Sequence, residues 1–243
     1  MQTIGLIGGM SWESSIEYYR LINAGVKREL GGLHSAQNLM YSVDFADIER
    51  MQMAGDWEAA GEALAEAAQR LERGGAGCVV LCTNTMHIVA DRIAAAVQIP
   101  LLHIADATGE QIVAAGIRRV GLIGTRFTME QSFYKDRLAE RFGLAVLTPD
   151  EQDRAVVHRV IYEELVLGTI RAESHEAYLT IIERLVAAGA EAIILGCTEI
   201  GLLIRPGDTA VPQFDTTHIH AEAAVRWSLA PETQETPEKG FDR

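Results

Sequence analysis

Positive charge is scarce in this 243-residue sequence, which has 21 Lys and Arg against 34 Asp and Glu and a formal net charge of −13 at pH 7. No cluster of Lys or Arg interrupts the acidic background. We therefore expect neither nucleic acid nor an anionic membrane surface as a partner. An acidic small molecule is still compatible with this composition, because a binding site needs only local positive potential.

Long apolar runs are also absent, since none approaches the ~18 residues that a membrane-spanning helix needs. Residues 1–5 lack the basic segment that opens a secretory leader. Hydrophobic residues nevertheless make up 48% of the chain, which is ample for buried cores. These features predict a cytoplasmic protein without a membrane partner.

Cysteine is rare as well. The three cysteines, Cys78, Cys82 and Cys197, contain no Cys-x-x-Cys pair, and their odd number does not fit a disulfide framework. A zinc site from Cys82, His87 and Cys197 is conceivable, but these residues lack recognisable ligand spacing. No lysine lies in a recognisable context for pyridoxal phosphate. The sequence therefore predicts no metal and no cofactor.

What the chain does contain is an internal repeat. Three pairs of segments match in the same order and at nearly one spacing: 4–8 with 120–124, 75–85 with 189–199, and 99–100 with 211–212. The second match sets Thr83 opposite Cys197. A spacing this long is not that of a solenoid, whose repeats are ~20–50 residues. The repeat predicts two similar halves with one reactive position in each.

Apolar runs and glycine turns predict alternating strands and helices in both halves. The predicted strands are 3–8, 38–43, 77–82, a short strand opened by Pro100, 120–124, 144–147 and 191–196. The predicted helices are 12–30, 57–73, 87–96, one from Asp106, 129–142, two across 153–167 and 172–188, and 217–229. We expect two similar α/β domains with parallel sheets, related by a pseudo-twofold axis, and an active site in the cleft between them.

The predicted domain boundary is discontinuous. Residues 1–103 and 209–229 are expected to form the first domain, and residues 104–208 the second. Residues 211–214 and the last helix are assigned to the first half because that half would otherwise be the shorter. Residues 230–243 contain two prolines, three glutamates and few apolar residues, which predicts a disordered tail.

The two matched strand ends carry the candidate chemistry. A cysteine just before a helix N-terminus lies where backbone N–H groups stabilise a thiolate, so we predict a lowered pKa for Cys197. Cys78 lies within its strand, and Cys82 precedes Thr83 and therefore faces the other side of the sheet. Both are predicted to be core residues. Symmetry-related strand ends would present Thr83 and Cys197 from opposite sides of a cleft, which suits proton transfer on either face of one carbon.

Other polar residues have more than one reading. Arg50 and Gln52 follow the second predicted strand, at the sheet edge where ligands bind in open α/β folds. Each either contacts a substrate carboxylate or is an ordinary surface residue. The glycine turn at residues 8–11 either only reverses the chain or lets a substrate approach, and Ser11 is predicted to cap the next helix. His87 either orients Thr85, tunes a proton donor, or is a satisfied helix residue.

These motifs resemble those of the cofactor-independent aspartate/glutamate racemase superfamily. That family carries Cys-Asn-Thr-x-His after its third strand and Gly-Cys-Thr-Glu in its second half, matched here by residues 84–87 and 196–199. The opening Gly-Gly-Met and the duplication agree as well, so the resemblance covers the chain except its tail. The enterobacterial racemases specific for L-aspartate and L-glutamate look most similar, because they share the threonine at Thr83.

The resemblance implies a two-base racemase without pyridoxal phosphate that acts on aspartate or glutamate and forms a homodimer. Cys197 would remove the α-proton of the L-substrate as a thiolate, with Thr83 on the opposite face. The implied substrate-binding residues are Met10, Arg50, Gln52, Asn84, Thr85, Thr198 and Glu199. Of these, Asn84, Thr85, Thr198 and Glu199 would hold the α-carboxylate and the α-amino group.

Two departures from the family pattern leave alternatives open. Thr83 replaces the first family cysteine, and Val166 stands where many aspartate racemases have a lysine, so the contact to the side-chain carboxylate is undefined. Hydantoin racemase, maleate isomerase and arylmalonate decarboxylase share the scaffold and are enzymatic alternatives. A different class is an amino-acid-binding protein that lost catalysis with its first cysteine. Exchange of the α-proton in deuterated water distinguishes an enzyme from such a binder.

Overall fold

The computed structural model describes residues 1–231, so residues 232–243 of the predicted tail lie outside the described part. Its strands are β1 Ile4–Gly8, β2 Asn38–Ser42, β3 Cys78–Leu81, β4 Leu101–Leu102, β5 Arg119–Gly124, β6 Ala145–Leu147, β7 Ala192–Gly196 and β8 Gln213–Asp215. They form two four-stranded parallel sheets with the orders β2-β1-β3-β4 and β6-β5-β7-β8. The equivalent orders confirm the predicted α/β fold with two similar halves.

Helices cover both sheets. The first half contains α1 Trp12–Leu30, α2 Phe45–Ala54, α3 Trp57–Arg73 and α4 Ala90–Ala95, and α5 Ile104–Ala114 follows β4. The second half contains α6 Arg126–Glu130, α7 Ser132–Phe142, α8 Glu151–Glu163, α9 Ala172–Ala187 and α10 Ile200–Leu203, and α11 Thr216–Leu229 follows β8. Short 3-10 helices cover Thr85–Val89 and Leu165–Leu167.

The central strands are buried on both faces. Every residue of β1, β3 and β7 is buried, as expected of parallel strands with helices on both sides. Side chains alternate across the sheet, so Ile7 joins the core beneath α3 while Leu6 joins the core beneath α1. The strand sequences are continuously apolar because helices cover both faces of each sheet.

Two predicted helices match their boundaries and two others differ. The predicted helices 12–30 and 57–73 correspond to α1 and α3 at both ends. Ser11 caps α1 as predicted, because its side chain accepts the N–H of Ser14. The predicted helix 129–142 instead begins at Arg126 and is interrupted at Gln131, whose extended backbone separates α6 from α7. The predicted helix 87–96 begins as a 3-10 turn and becomes α-helical only at Ala90.

The assignment of residues 211–214 to the first half is wrong. Strand β8 pairs with β7 in the second sheet, with Ile194 opposite Phe214. It is the equivalent of β4, which pairs with β3 in the first sheet. The repeat of residues 99–100 at 211–212 already carried this information, whereas the argument from equal lengths of the two halves misplaced the strand.

The helices that follow the two edge strands exchange between the halves. Helix α11 packs on the first half, where Ala221, Ala224 and Val225 join a core with Ile4 and Leu6. Helix α5 follows β4 of the first sheet but packs on the second half. There Ile104 and Ile112 pack with Val120 and Leu122 of β5. The contact between α1 and α11 is close, and a Cβ added at Gly25 would lie 2.8 Å from Val225. We propose two interlocked domains with residues 209–215 in the second and α11 in the first.

The helices were compared with the length and apolar character of a membrane span. None of those formed by residues 1–231 combines the length and the apolar character needed to cross a bilayer.

Candidate active site

A cleft opens where the strands of both sheets end. Residues after β1, β3, β5 and β7 form its floor, which is the edge where open parallel sheets bind ligands. Helices α2 and α8 and the second 3-10 helix supply its upper wall. The cleft is lined by Met10, Phe45, Gln52, Thr83, Asn84, Thr85, Thr125, Ile161, Tyr162, Val166, Gly196, Cys197, Thr198 and Glu199. Every predicted site residue except Arg50 lies in this lining.

Thr83 and Cys197 enter the cleft from equivalent positions. Thr83 lies two residues after β3, and Cys197 directly follows β7, which is the equivalent strand of the second sheet. Both side chains are buried, with exposed fractions of 7% and 8%. Cys78 and Cys82 instead lie fully buried in the core against α1 and α11, as predicted. Of the three cysteines, only Cys197 is in the cleft lining.

Glu199 is the centre of a hydrogen-bond network around the Cys197 sulfur. The Cys197 thiol donates to Glu199 Oε2 at 3.0 Å, and the Thr198 hydroxyl donates to the same oxygen at 2.5 Å. Ser11, from the first half, donates to Glu199 Oε1 at 2.8 Å. Glu199 therefore links the two halves and accepts a hydrogen bond from the thiol.

The predicted lowering of the Cys197 pKa is wrong for this geometry. Burial raises the pKa of the thiol well above its ordinary value, and the charge and hydrogen bond of Glu199 raise it further. The backbone N–H groups of Thr198 and Glu199 do lower this pKa, as the strand-end argument expected, but their effect is smaller. The backbone donors are evident from the sequence, whereas the contact with the carboxylate two residues away is not.

Asn84 and Thr85 are held by contacts with residues that are remote in the chain. Asn84 Nδ2 donates to Thr216 Oγ1 at 2.9 Å, and the Thr85 hydroxyl pairs with that of Thr125 at 2.9 Å. Within residues 1–231, Asn84 Oδ1 is one of four buried side-chain oxygens without a hydrogen-bond partner. A buried acceptor without a partner costs free energy. Asn84 Oδ1 is therefore ready to accept from a donor on a ligand.

His87 lies behind the cleft and holds the backbone of the turn that carries Thr83. Its Nδ1 lies 2.8 Å from the Thr83 carbonyl oxygen, and its Nε2 accepts the N–H of Ile104 at 3.2 Å. Because the Ile104 N–H can only donate, the proton of the ring is assigned to Nδ1. Burial, and then the neighbouring His103 and His220, keep the pKa of His87 well below its ordinary value. His87 is a neutral positioning residue that joins Thr83 to the start of α5.

Gln52 and Arg50 have different positions. Gln52 is 3% exposed and its Oε1 accepts from the Tyr162 hydroxyl at 3.1 Å, which joins α2 to α8 across the cleft. Arg50 points outward, 70% exposed, in an ion pair with Asp47 at 2.8 Å. Residues two apart on a helix are about 200° apart around its axis, so these two cannot face the same cleft. The predicted substrate contact of Arg50 is therefore not supported.

Several lining residues were missed by sequence reasoning. Thr125 directly follows β5, so the repeat of residues 4–8 at 120–124 was the signal that could have found it. Ser11, which contacts Glu199 without lining the cleft, was interpreted only as a helix cap. The apolar wall of Phe45, Ile161 and Val166, together with Tyr162, comes from helices whose orientation the sequence does not specify. No group of three or more His, Cys, Asp or Glu suited to hold a metal ion occurs within residues 1–231.

Comparison with known proteins agrees with this geometry. Residues 7–224 match the family described as Asp/Glu/Hydantoin racemase. The crystal structure of a candidate Asp/Glu racemase from Yersinia pestis is 56% identical, with a TM-score of 0.89, over 95% of this chain and 100% of that one. An aspartate racemase homologue from Pyrococcus horikoshii OT3 is 34% identical, with a TM-score of 0.80, over 94% of this chain and 99% of that one.

A more distant relative is the broad specificity amino-acid racemase RacX of Bacillus subtilis (strain 168), which is 24% identical over 173 residues, or 70% of this chain and 72% of RacX. The family match spans both sheets and all four strand ends that form the cleft. The chain therefore belongs to the Asp/Glu/Hydantoin racemase family and is an isomerase.

Proposed function

We propose that the protein is a cofactor-independent racemase of aspartate and glutamate, in which Cys197 removes the α-proton of the L-substrate and Thr83 lies on the opposite face. The observation that carries this proposal is the entry of Cys197 and Thr83 into one cleft from equivalent strand ends. Inversion at one carbon needs such a pair, because the proton must leave one face and another must arrive on the other.

Glu199 is the proposed acceptor of the thiol proton. The Cys197 thiol already donates to it at 3.0 Å, so the proton has only a short distance to move when the thiolate forms. Burial disfavours the thiolate. A substrate ammonium group beside Glu199 adds a positive charge next to the sulfur and favours the charged form. Substrate binding and thiol activation are therefore coupled in this proposal.

The polar floor suits the common part of an amino acid. Asn84 Oδ1 and Glu199 are acceptors for the α-ammonium group, and Asn84 Oδ1 has no partner within the described chain. Of the Thr85 and Thr125 hydroxyls, which share one hydrogen bond, the one that accepts it has its hydrogen left for the α-carboxylate. The Thr198 hydroxyl has a single hydrogen and would have to turn from Glu199 to donate to the same group. With these two groups held at the floor, the α-carbon lies between Cys197 and Thr83.

The proposal is tested on protein freed of metal and pyridoxal phosphate. After dialysis against a chelator, we expect full exchange of the α-proton of L-aspartate in deuterated water, followed by NMR, together with slow formation of D-aspartate. No step of the mechanism requires a metal ion, pyridoxal phosphate or another added group. Loss of exchange on dialysis, restored by zinc or by pyridoxal phosphate, would contradict the proposal. Absence of exchange in correctly folded protein under all conditions would favour the non-catalytic binder.

Replacing Glu199 by glutamine separates its two effects on Cys197. Glu199→Gln removes the charge that raises the pKa of the thiol, so iodoacetamide should alkylate Cys197 with a midpoint at lower pH than in wild type. It also removes the proton acceptor, so kcat for L-aspartate exchange should fall by ~10²-fold, the lower end of the effect of a general base. Asp44→Asn is the matched control, because Asp44 makes no contact with the sulfur and caps α2. A normal kcat in Glu199→Gln would show that another group takes the proton.

The cytoplasmic location and the homodimer remain predictions from the sequence and the resemblance. Gel filtration with light scattering tests the second of these directly.

A further inference from the structure

The two oxygens of the Glu199 carboxylate have different kinds of partner. Oε2 accepts from the Cys197 thiol and from the Thr198 hydroxyl, which are its neighbours in the sequence. Oε1 accepts from the Ser11 hydroxyl at 2.8 Å, and Ser11 is 188 residues away in the sequence. Within residues 1–231, Ser11 is the residue that donates to Oε1. One end of the carboxylate is therefore held by its own strand end, and the other end by the first half of the molecule.

The orientation of this carboxylate depends on these hydrogen bonds. The last side-chain torsion of a glutamate has a broad, two-fold profile, so the torsion alone does not fix the plane of the carboxylate. Glu199 is buried, and a buried oxygen that loses its donor carries the cost of an unmade hydrogen bond. Without the Ser11 hydroxyl, Oε1 would be such an oxygen, and the carboxylate would turn toward another donor. Ser11 therefore fixes the plane in which Oε2 meets the Cys197 thiol.

Ser11 is itself held in place by the start of α1. Its hydroxyl oxygen accepts the N–H of Ser14 at 3.3 Å, so one hydroxyl both caps the helix and donates to Glu199. Its carbonyl oxygen accepts from the hydroxyls of Ser14 and Ser15, each at 2.9 Å. The Ser15 hydroxyl oxygen also accepts the N–H of Gly9 at 2.7 Å, which ties down the preceding turn. All three serines are buried, so the turn presents a fixed donor to Glu199.

Ser11 reaches Glu199 without entering the cleft. It lies in an adjoining groove, which shares Phe45 and Val166 with the cleft, and it is not part of the cleft lining. Glu199 does line the cleft. The Ser11 hydroxyl therefore affects the reaction through Glu199, and its loss leaves the substrate contacts of the polar floor in place.

We infer that Ser11 is a positioning residue of the reaction, which holds the Glu199 carboxylate in the orientation that lets Oε2 take the proton of the Cys197 thiol. In that step the S–H bond of Cys197 breaks and an O–H bond forms on Oε2, which leaves a thiolate to remove the α-proton. The inference rests on the proposed racemase function and deepens it. It makes the proton acceptor of the second half depend on a hydroxyl at the start of α1.

Removing the hydroxyl tests this role. In Ser11→Ala we expect kcat for α-proton exchange of L-aspartate to fall by ~10-fold, which is less than the ~10²-fold that a displacement of about 1 Å can cost. KM should stay within about 3-fold of wild type, because the lost interaction serves the chemical step. Ser11→Thr keeps a hydroxyl that can also cap the helix, and it should restore kcat to within about 3-fold of wild type. A fall in kcat that Ser11→Thr does not restore, in folded protein, would contradict the role.

The cap of α1 and the hydrogen bond to Glu199 are separated by a second variant. Glycine replaces serine at an N-cap with little loss of stability, whereas alanine destabilises the helix more. Both lack the hydroxyl, so Ser11→Gly and Ser11→Ala should lose kcat equally, with circular dichroism to establish folding. Ser14→Ala is the matched control, because the Ser14 hydroxyl bonds to the Ser11 carbonyl and does not contact Glu199. A wild-type kcat in Ser11→Gly, or an equal loss in Ser14→Ala, would overturn the inference.

A double-mutant cycle tests whether Ser11 acts through Glu199. In the Glu199→Gln background, Ser11→Ala should lower kcat by less than about 2-fold, because the acceptor that Ser11 positions is already absent. A further ~10-fold loss in that background would show that the two residues act independently, and would overturn the inference. A normal kcat in Glu199→Gln would overturn it as well, since Ser11 would have no acceptor to position.

The outcomes distinguish this inference from the proposed function. Exchange by wild type together with an unchanged kcat in Ser11→Ala would overturn the inference and leave the racemase function intact. No exchange by folded wild type would overturn both.

Discussion

Replacing Cys197 by alanine is expected to reduce α-proton exchange of L-aspartate by at least ~10²–10⁴-fold, the usual effect of removing a general base. Cys197 is the cysteine that lines the cleft, and its thiol already donates to Glu199. The measurement is deuterium incorporation at the α-carbon by NMR, with circular dichroism to establish that the variant is folded.

Cys82→Ala and Cys78→Ala are the matched controls. Both side chains are fully buried in the core between the first sheet and helices α1 and α11, away from the cleft. Neither side chain lines the cleft, so neither can reach the α-carbon of a bound substrate. Each substitution should lower the thermal midpoint by creating a small cavity and leave kcat within a few-fold of wild type. If folded Cys82→Ala lost as much exchange as Cys197→Ala, the proposed orientation of the third strand would be wrong.

The Thr83→Cys variant should gain exchange of D-aspartate. A hydroxyl is far less acidic than a thiol and is seldom ionised at neutral pH, so Thr83 is a poor base for the D-enantiomer. Wild type should therefore exchange the α-proton of L-aspartate readily and that of D-aspartate very slowly. Because a catalyst does not shift an equilibrium, the bias must appear in rates and in exchange, and the Haldane relation still holds. A thiol at position 83 should raise D-aspartate exchange by at least 10-fold and make the two directions more alike.

Thr83→Ser is the matched control for this gain. It keeps a hydroxyl at the same atom and supplies no thiol, so D-aspartate exchange should stay at the wild-type level. Both variants keep the main-chain carbonyl that His87 holds at 2.8 Å, and the backbone of the turn should be preserved. Equal exchange of D- and L-aspartate by wild type would refute the assigned asymmetry. No gain in folded Thr83→Cys would show that position 83 is not where the second base belongs.

Much of the architecture followed from local patterns. The repeat of residues 4–8 at 120–124 and of 75–85 at 189–199 predicted two similar halves, and the two sheets have equivalent strand orders. Buried parallel strands are recognisable because both faces require apolar residues. Helices α1 and α3 were bounded correctly because caps and terminal glycines are local signals. Strand β8 was misplaced because pairing between distant strands has no local signal, except for the weak match at residues 99–100.

The part of the site that could be predicted consists of residues that are neighbours in the sequence. Cys197, Thr198 and Glu199 are consecutive, and Thr83, Asn84 and Thr85 are as well, so one strand end delivers each group. The motifs also carried the family resemblance. Arg50 was assigned wrongly because residues 45–54 form a helix. On this helix Gln52 faces the cleft, and Arg50, two residues earlier, therefore faces away from it.

By itself, the sequence determined the duplication, the α/β fold class and the family, because these depend on short-range order and composition. It also predicted Thr83 and Cys197 as the two reactive positions. Only the tertiary structure decided the electrostatic state of the site. Glu199 raises the pKa of the Cys197 thiol through a contact of 3.0 Å, and Ser11 reaches the same carboxylate from 188 residues away. The apolar wall from α2 and α8, and the outward turn of Arg50, likewise follow from how helices pack across the cleft. Charge and dielectric depend on distances in space, and those distances are set by packing between segments remote in the chain.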